Sequence, residues 1–216
     1  MHHRSVLKRA ARVVLVLQAA VLGLVAVLLW LPAGSQAQSA DAQRYRGSLK
    51  REAQRVWGIG APVGTLAAQV QQESRWHPNA RSPVGAEGLA QFMPSTARWM
   101  GNIDPELVGA ASLNPTWSLR ALVVYDHWLH QRIGLAANNC ERWAFTLSAY
   151  NGGLGWVFRR QQAARQAGKD AGLCLAATCT LNPGISPAAQ RENEHYPRAI
   201  LDAEDAWWRW GPGVCP

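Results

Sequence analysis

The sequence has few charged residues, no internal repeat of about 20 to 50 residues and no low-complexity tract. Charged residues make up 17% of the 216 residues, whereas hydrophobic residues make up 48%. This balance excludes an intrinsically disordered chain, because the apolar share is sufficient for a buried core. Patterns of alternating polar and apolar residues are also weak throughout. The sequence therefore predicts a mainly helical protein.

Acidic residues are absent from residues 1–37, which begin with a cluster of basic residues. An apolar run follows over residues 13–31, and the small residues Ser35 and Ala37 match a signal-peptidase site. The run is also long enough to cross a bilayer of about 30 Å, so a cleaved signal peptide and a retained signal anchor are both open. Either outcome places the remaining chain outside the cytoplasm.

The charge balance is moderately basic once the targeting segment is set aside. The whole chain has a formal net charge of +8, and residues 1–37 contain four basic and no acidic residues, which leaves +4 for residues 38–216. A mild positive charge suits an anionic polymer such as a bacterial cell wall. It is too dispersed to indicate a nucleic-acid partner.

Four cysteines, Cys140, Cys174, Cys179 and Cys215, lie in the exported part. An even number in an exported chain favours two disulfides, for which three pairings exist. Cys174 and Cys179 are close enough to close a small loop, which would leave Cys140 with Cys215, but the other pairings remain open. A zinc site is the alternative, although the spacing matches no usual arrangement of paired ligands.

A Gly/Pro break at "GIGAP" divides the exported part into an N-terminal helix or linker over residues 38–60 and one domain over residues 61–216. The clearest helix begins at Asn114, which can cap it. Residues 77–93 are predicted to form a loop with short hairpin strands, because glycine and proline recur there. The last helix is predicted near residues 186–210.

Glu73 occupies an unusual position for a carboxylate. It lies on the last turn of a short predicted helix and directly precedes a loop rich in Ser, Pro and Gly. The negative end of the helix dipole disfavours another anion there, so we expect a raised pKa for Glu73. The alternative is an ordinary solvated glutamate at a helix end.

Three segments carry motifs in a fixed order. The first begins with "ES" at Glu73 and Ser74 and continues through "GAEGLAQFMPSTA"; the others are "SAYNGGLGWV" and "ENEHYPRAI". Together they resemble the catalytic region of the soluble lytic transglycosylases of glycoside hydrolase family 23, which are related to goose-type lysozyme. The resemblance covers roughly residues 60–200. It implies an α+β, mainly α lysozyme-like fold, with one helical domain and a loop after the catalytic helix.

The same resemblance implies an activity and a set of site residues. Such enzymes cleave the β-1,4 bond between N-acetylmuramic acid and N-acetylglucosamine in peptidoglycan strands and form 1,6-anhydromuramic acid, in wall remodelling or lysis. Glu73 is implied as the catalytic residue. The residues implied to bind substrate are Ser74, Gly88, Leu89, Gln91, Met93, Tyr150, Asn151 and Tyr196. For Gln91 a role in bracing the loop is an alternative, and Tyr150 and Tyr196 can be core aromatics.

The sequence departs from the family pattern at a few positions. Ala90 replaces the usual Met, Asn193 replaces a common Thr, and Pro197 replaces a common Val. The family requires no organic cofactor, and none is expected here. His127 and His130 share a helix face, but the sequence suggests no carboxylate as a third ligand beside them. No metal site is therefore expected either. Nothing in the sequence indicates an oligomeric state.

Three alternative functions remain open. One is an unrelated membrane-tethered structural protein, which would have no affinity for saccharides. A hydrolytic muramidase of the same fold would use a second carboxylate, and the acids nearest in sequence are Glu87, Asp104 and Glu106. A wall-binding module without catalysis would need neither the Glu73 carboxyl group nor a second carboxylate.

Overall fold

A computed structural model describes residues 39–215, which form helices connected by loops. The α-helices are α1 (Ala40–Trp57), α2 (Val63–Ser74), α3 (Pro94–Met100), α4 (Pro115–His130), α5 (Asn139–Gly152), α6 (Leu154–Gln166) and α7 (Pro187–Leu201). Short helical turns span Pro105–Leu107, Cys174–Thr178 and Glu204–Trp207. The predicted signal peptide or anchor lies outside the described residues. In residues 39–215 no helix has both the length and the apolar character needed to cross a bilayer.

The loop after α2 has the only strand-like pairing in the described part of the chain. Isolated antiparallel bridges join Arg81 to Glu87 and Glu87 to Phe92, and neither extends into a strand. The predicted mainly helical fold is therefore confirmed, with the hairpin reduced to two bridges. A tight turn forms the tip of this loop: the Ser82 N–H donates to the carbonyl of Ala86, and the Ala86 N–H donates to Ser82 Oγ, both at 2.9 Å.

Side-chain caps explain where several helices begin. The Asn114 side chain accepts hydrogen bonds from the backbone N–H groups of Thr116 and Trp117 at 2.9 and 3.3 Å, which confirms the predicted start of α4. Ser39 and Asn138 cap α1 and α5 in the same way. These local contacts are readable from the sequence because cap and helix are neighbours in the chain.

The last helix is shorter than predicted. It ends at Leu201 instead of continuing to residue 210, and a 3₁₀ turn follows at Glu204–Trp207. The turn carries Trp207 and Trp210 back onto the fully buried Trp76, with ring centroids 5.5 and 5.2 Å away. Burying these large rings favours a chain reversal over further helix.

The core forms around α5, which packs against α4, α6 and α7. Its residues 143–149 are all buried, as expected of a helix that is covered on every side. α1 packs against α4, and α2 packs against α7 and the Glu204–Trp207 turn. The domain boundary at residue 61 stays a prediction, although α1 is part of this packing.

Two disulfides and a buried carboxylate fix the C-terminal region. The pairs are Cys140–Cys215 and Cys174–Cys179, so the favoured pairing is confirmed and the four thiols are not available as zinc ligands. The Glu204 carboxylate accepts hydrogen bonds from Thr65 Oγ1 and from the backbone N–H groups of residues 214 and 215. The tail is thereby held against α2.

Candidate active site

A cleft of about 390 Å³ lies between the end of α2, the loop over residues 77–93, and helices α4, α5 and α7. Six of the predicted site residues line it: Glu73, Gln91, Met93, Tyr150, Asn151 and Tyr196. Three others, Ser74, Gly88 and Leu89, do not line it. The tertiary structure therefore brings together residues from all three sequence motifs.

Glu73 reaches the cleft because α2 ends directly after it. Arg75 and Trp76 adopt left-handed conformations, with φ of 51° and 67°, which stop the helix and turn the chain. Trp76 is fully buried among the C-terminal tryptophans. Since most of α2 is buried as well, the helix end that carries Glu73 is held on both sides.

Among the described residues, the Glu73 carboxyl group has one hydrogen-bond partner, the hydroxyl group of Tyr196 on α7, which donates to Glu73 Oε1. Glu73 is half-buried, and burial of its carboxyl group raises its pKa from 4.5 to about 8. The hydrogen bond from Tyr196 lowers this pKa, and the nearby charge of Glu192 raises it. Glu73 thus retains its proton at neutral pH.

Tyr150 lies beside Tyr196 without bonding to Glu73. The two rings are parallel within 6°, with centroids 6.4 Å apart. The Tyr150 hydroxyl donates to the backbone carbonyl of Ala90 at 2.7 Å, so it ties α5 to the loop. Burial raises the pKa values of both tyrosines well above the usual range. Both remain neutral hydrogen-bond donors.

Gln91 lines the cleft and also braces its loop. Its side-chain amide donates to the backbone carbonyls of Ala80 and Gly88, at 3.2 and 2.9 Å. Gly88 has a φ of +80°, and a Cβ atom there would lie 1.8 Å from the carbonyl oxygen of Ser112. Only glycine fits this close approach, which sets the position of the loop over the cleft.

Two of the predicted residues, Leu89 and Ser74, belong to the framework of the site. Leu89 is fully buried in the core. The Ser74 hydroxyl donates to the carbonyl of Val70 within α2, at 3.4 Å, and does not line the cleft. Met93, by contrast, lines the cleft at its rim, and 40% of its surface is exposed.

Asn151 belongs to a polar group at the far side of the cleft. Its Nδ2 atom donates to Glu192 Oε1 at 3.1 Å, and its Oδ1 atom accepts from Asn193 Nδ2 at 3.0 Å. Asn193 is buried and also accepts from Arg160. The side chain of Asn151 is therefore oriented by two partners on α7.

The three acids that were candidates for a second carboxylate lie elsewhere. Glu87 pairs with Arg81. Asp104 pairs with Arg120 at 2.7 Å, and Glu106 pairs with the same arginine at 2.6 Å. None of them lines the cleft.

Sequence reasoning missed several residues that line the cleft, notably Tyr125, Glu192 and His195. Glu192 precedes Tyr196 by four residues in the third motif, so helical spacing places both on one face of α7. That pattern was available in the sequence.

The arrangement suits proton transfer to a bound ligand. A protonated carboxyl group faces a cleft with aromatic walls, and a neutral tyrosine hydroxyl orients it. Within residues 39–215 no group of three or more His, Cys, Asp or Glu side chains has an arrangement suitable for a metal ion.

Comparison with known proteins gives consistent results. The family model described as "Transglycosylase SLT domain" matches residues 52–172. The chain is 34% identical over 105 residues to membrane-bound lytic murein transglycosylase F of Pasteurella multocida, and the match covers 49% of this chain and 20% of that protein. The protein of the same name from Maricaulis maris is 34% identical over 110 residues, with 49% and 22% covered. The chain thus spans about a fifth of the length of the curated relatives it matches.

A solved structure also matches. The crystal structure of the 70 kDa soluble lytic transglycosylase from Escherichia coli superposes with a TM-score of 0.57 at 25% identity, over 79% of this chain and 25% of that chain. The matched family region contains Glu73 and the first two motifs, and the fold agrees. Because the family model matches more than half of the sequence, this chain belongs to the transglycosylase SLT domain family.

Proposed function

We propose that the chain is a peptidoglycan lytic transglycosylase in which Glu73 is the only acid–base catalyst. The substrate is a glycan strand, and the bond that breaks is the β-1,4 bond between N-acetylmuramic acid and N-acetylglucosamine. The product carries a 1,6-anhydromuramic acid end. Family membership, the names of the relatives and the cleft around Glu73 support this assignment.

The observation that carries the proposal is the state of Glu73. Its pKa of about 8 supplies a protonated acid at neutral pH, and Tyr196 orients the carboxyl group. A glycosidic oxygen accepts a proton as the bond to the anomeric carbon breaks, so a carboxylic acid at this position is the required group.

In the first step, Glu73 donates its proton to the glycosidic oxygen, and the bond between that oxygen and the anomeric carbon breaks. The carbonyl oxygen of the muramic N-acetyl group forms a bond to the anomeric carbon and takes up its developing positive charge. Glu73 is left as a carboxylate, which the Tyr196 hydroxyl stabilises by its hydrogen bond.

In the second step, the Glu73 carboxylate takes the proton from the C6 hydroxyl of the same sugar. The C6 oxygen then attacks the anomeric carbon and displaces the N-acetyl oxygen, which closes the 1,6-anhydro ring. No water is consumed, and Glu73 regains its proton. An attacking group within the same ring has a large effective-concentration advantage over solvent.

The remaining cleft residues are assigned to binding. Gln91, Met93 and Asn151 line the cleft and offer amide and thioether surface to sugar substituents. Gly88, Leu89 and Ser74 do not line the cleft. They support it indirectly, because they fix the loop and the end of α2. Tyr150 holds the loop through Ala90.

Mass spectrometry of the released muropeptides tests the proposal. We expect 1,6-anhydro ends from the native chain and none from Glu73→Gln, which should still sediment with insoluble peptidoglycan. Glu87→Gln is the matched control, because its carboxylate pairs with Arg81 outside the cleft, and it should behave as the native chain. Reducing ends in place of anhydro ends would contradict the proposal.

A hydrolytic muramidase remains the second candidate, and one observation favours it. Glu192 is an exposed carboxylate at the cleft, where it can activate water. A hydrolase would release reducing ends and would lose activity in Glu192→Gln. A wall-binding module without catalysis would sediment with peptidoglycan and release nothing, whether or not Glu73 is replaced.

The proposed site of action is the periplasm, with the domain either released or held by an uncleaved N-terminal anchor. The basic cluster and apolar run of residues 1–37 and the two disulfides support export. N-terminal sequencing of the mature protein tests this point: cleavage after Ala37 would give Gln38 as the first residue. An intact N-terminus in a membrane fraction would indicate the anchored form.

A further inference from the structure

A second carboxyl group lies behind the cleft wall and has no role in the chemistry described above. Asp126 follows Tyr125 on α4 and has no exposed surface. Its Oδ1 atom accepts a hydrogen bond from Nε2 of Gln69, which is also fully buried, at 3.4 Å. Gln69 lies one turn before Glu73 on α2, so the pair connects the helix of the acid to the helix that carries Tyr125.

Two oxygen atoms of this pair have no partner. Asp126 Oδ2 and Gln69 Oε1 are both buried without a hydrogen bond. An amide oxygen and a carboxylate oxygen are both acceptors, so they can bond only if one carries a proton. A carboxylic acid at Asp126 provides that proton, and the two side chains then exchange two hydrogen bonds in a ring.

The surroundings of Asp126 favour the neutral acid. The titratable groups that interact with it are Glu73 on α2, Tyr125 next to it, Tyr150 on α5 and Tyr196 on α7. Within residues 39–215 no basic side chain forms an ion pair or hydrogen bond with it. A buried carboxylate group ionises only if a positive charge or several hydrogen bonds offset the cost of its desolvation. Acids and phenols as neighbours provide no such positive charge. Burial, followed by the charge of Glu73, raises the pKa of Asp126 well above its usual range, against the opposing hydrogen bond from Gln69.

We infer that Asp126 is a positioning residue whose carboxyl group stays protonated and donates to Gln69, which ties α2 to α4 one turn before Glu73. The neutral pair places no negative charge behind the cleft. Glu73 can therefore alternate between acid and carboxylate without a second buried anion to oppose it. The pair also fixes Tyr125, whose ring contacts Phe92 and Tyr150 in the cleft wall at centroid distances of 5.9 and 5.4 Å.

The link to Glu73 chemistry rests on the proposed function, but the state of Asp126 does not. Infrared spectroscopy measures that state directly. In Glu73→Gln at about pH 8, ordinary carboxyl groups are ionised, so we expect one remaining carbonyl band of a protonated acid. The band should disappear in Glu73→Gln/Asp126→Asn. If Glu73→Gln shows no such band, the inference is wrong, whatever the enzymatic activity of the native chain.

Substitutions at the pair separate its bonding from its charge. Asp126→Asn keeps both hydrogen bonds, because an amide can donate to Gln69 Oε1 and accept from Nε2. We expect native melting temperature, native activity and an unchanged alkaline limb of the pH profile. If Asp126 were ionised, removal of its charge would move that limb to lower pH by about one unit or more, and this outcome would overturn the inference.

Apolar replacements test the positioning role. Asp126→Leu and Gln69→Leu each leave one buried polar partner unsatisfied, so each should lower the melting temperature by several degrees. The double variant removes both and should recover most of that loss. We expect activity to fall by about tenfold to a hundredfold in each single variant, because the Glu73 helix shifts. If the two losses in melting temperature simply add in the double variant, Asp126 and Gln69 do not act as a pair.

Discussion

Tyr196 donates a hydrogen bond to Glu73 from a position 123 residues further along the chain. The contact joins the last long helix to the end of α2, and it fixes the orientation of a carboxyl group whose burial favours the protonated form. The hydrogen bond opposes that effect, since it stabilises the carboxylate. Burial, this hydroxyl group and the charge of Glu192 together set the proton affinity of Glu73 at the centre of the cleft.

The first prediction concerns Tyr196→Phe. Loss of the hydroxyl removes the interaction that lowers the pKa of Glu73, so the alkaline limb of the activity profile should move above its native position near pH 8. The freed carboxyl group should also reduce activity by about 10- to 100-fold. A pH series of muropeptide release measures both effects. An unchanged limb would show that the hydroxyl does not act on Glu73.

Replacement of Glu192 should move the same limb in the opposite direction. The charge of Glu192 raises the pKa of Glu73, so Glu192→Gln should lower it and shift the limb to lower pH. The product should still carry 1,6-anhydro ends. Glu194→Gln on the same helix is the matched control, because Glu194 does not line the cleft, and its profile should match the native one.

The stability of the native fold should depend on Glu73 between pH 4.5 and about 8. In this window the folded chain binds the Glu73 proton and the unfolded chain releases it, so the free energy of unfolding falls as pH rises. Glu73→Gln has no proton to release. Its stability advantage over the native chain should therefore grow across the window, as measured by urea unfolding at a series of pH values. A constant difference would mean an ordinary pKa.

Two glycines of the loop offer a matched test of close packing. Gly88→Ala should cost about 3 kcal/mol or more, because the added Cβ would meet the Ser112 carbonyl at 1.8 Å and the backbone is left-handed. Gly85 has a similar φ of +90° but no atom within 4 Å of such a Cβ. Gly85→Ala should therefore cost only about 1 to 2 kcal/mol. Equal losses in urea unfolding would refute the steric explanation.

The two disulfides should contribute unequally. Cys140–Cys215 closes a loop with a sequence separation of 75, whereas Cys174–Cys179 spans a separation of 5. Loop-closure entropy predicts a loss of about 4 kcal/mol for the double serine variant of the first pair and about 2 kcal/mol for that of the second. Chemical denaturation of the oxidised proteins measures the difference. A larger loss for the short loop would contradict the entropic account.

Local features of this protein followed from the sequence alone. The cap at Asn114, the end of a helix at Glu73 and the favoured cysteine pairing depend on residues close together in the chain, where spacing and chemical type are sufficient. The motifs that resemble lytic transglycosylases also identified six residues that line one cleft. The pKa of Glu73 is raised, as expected, but its main cause is burial, whereas the prediction from the sequence relied on the helix end.

Only the tertiary structure decided the contacts between distant segments. The early end of the last helix depends on Trp207 and Trp210 reaching Trp76, the acid in the cleft beside Glu73 is Glu192 rather than Glu87, and Asp126 meets Gln69 across two helices. Helical periodicity specifies which face of a helix is apolar but not which residue of another helix it meets. Burial and proton affinity depend on those meetings, so they are properties of the packed domain.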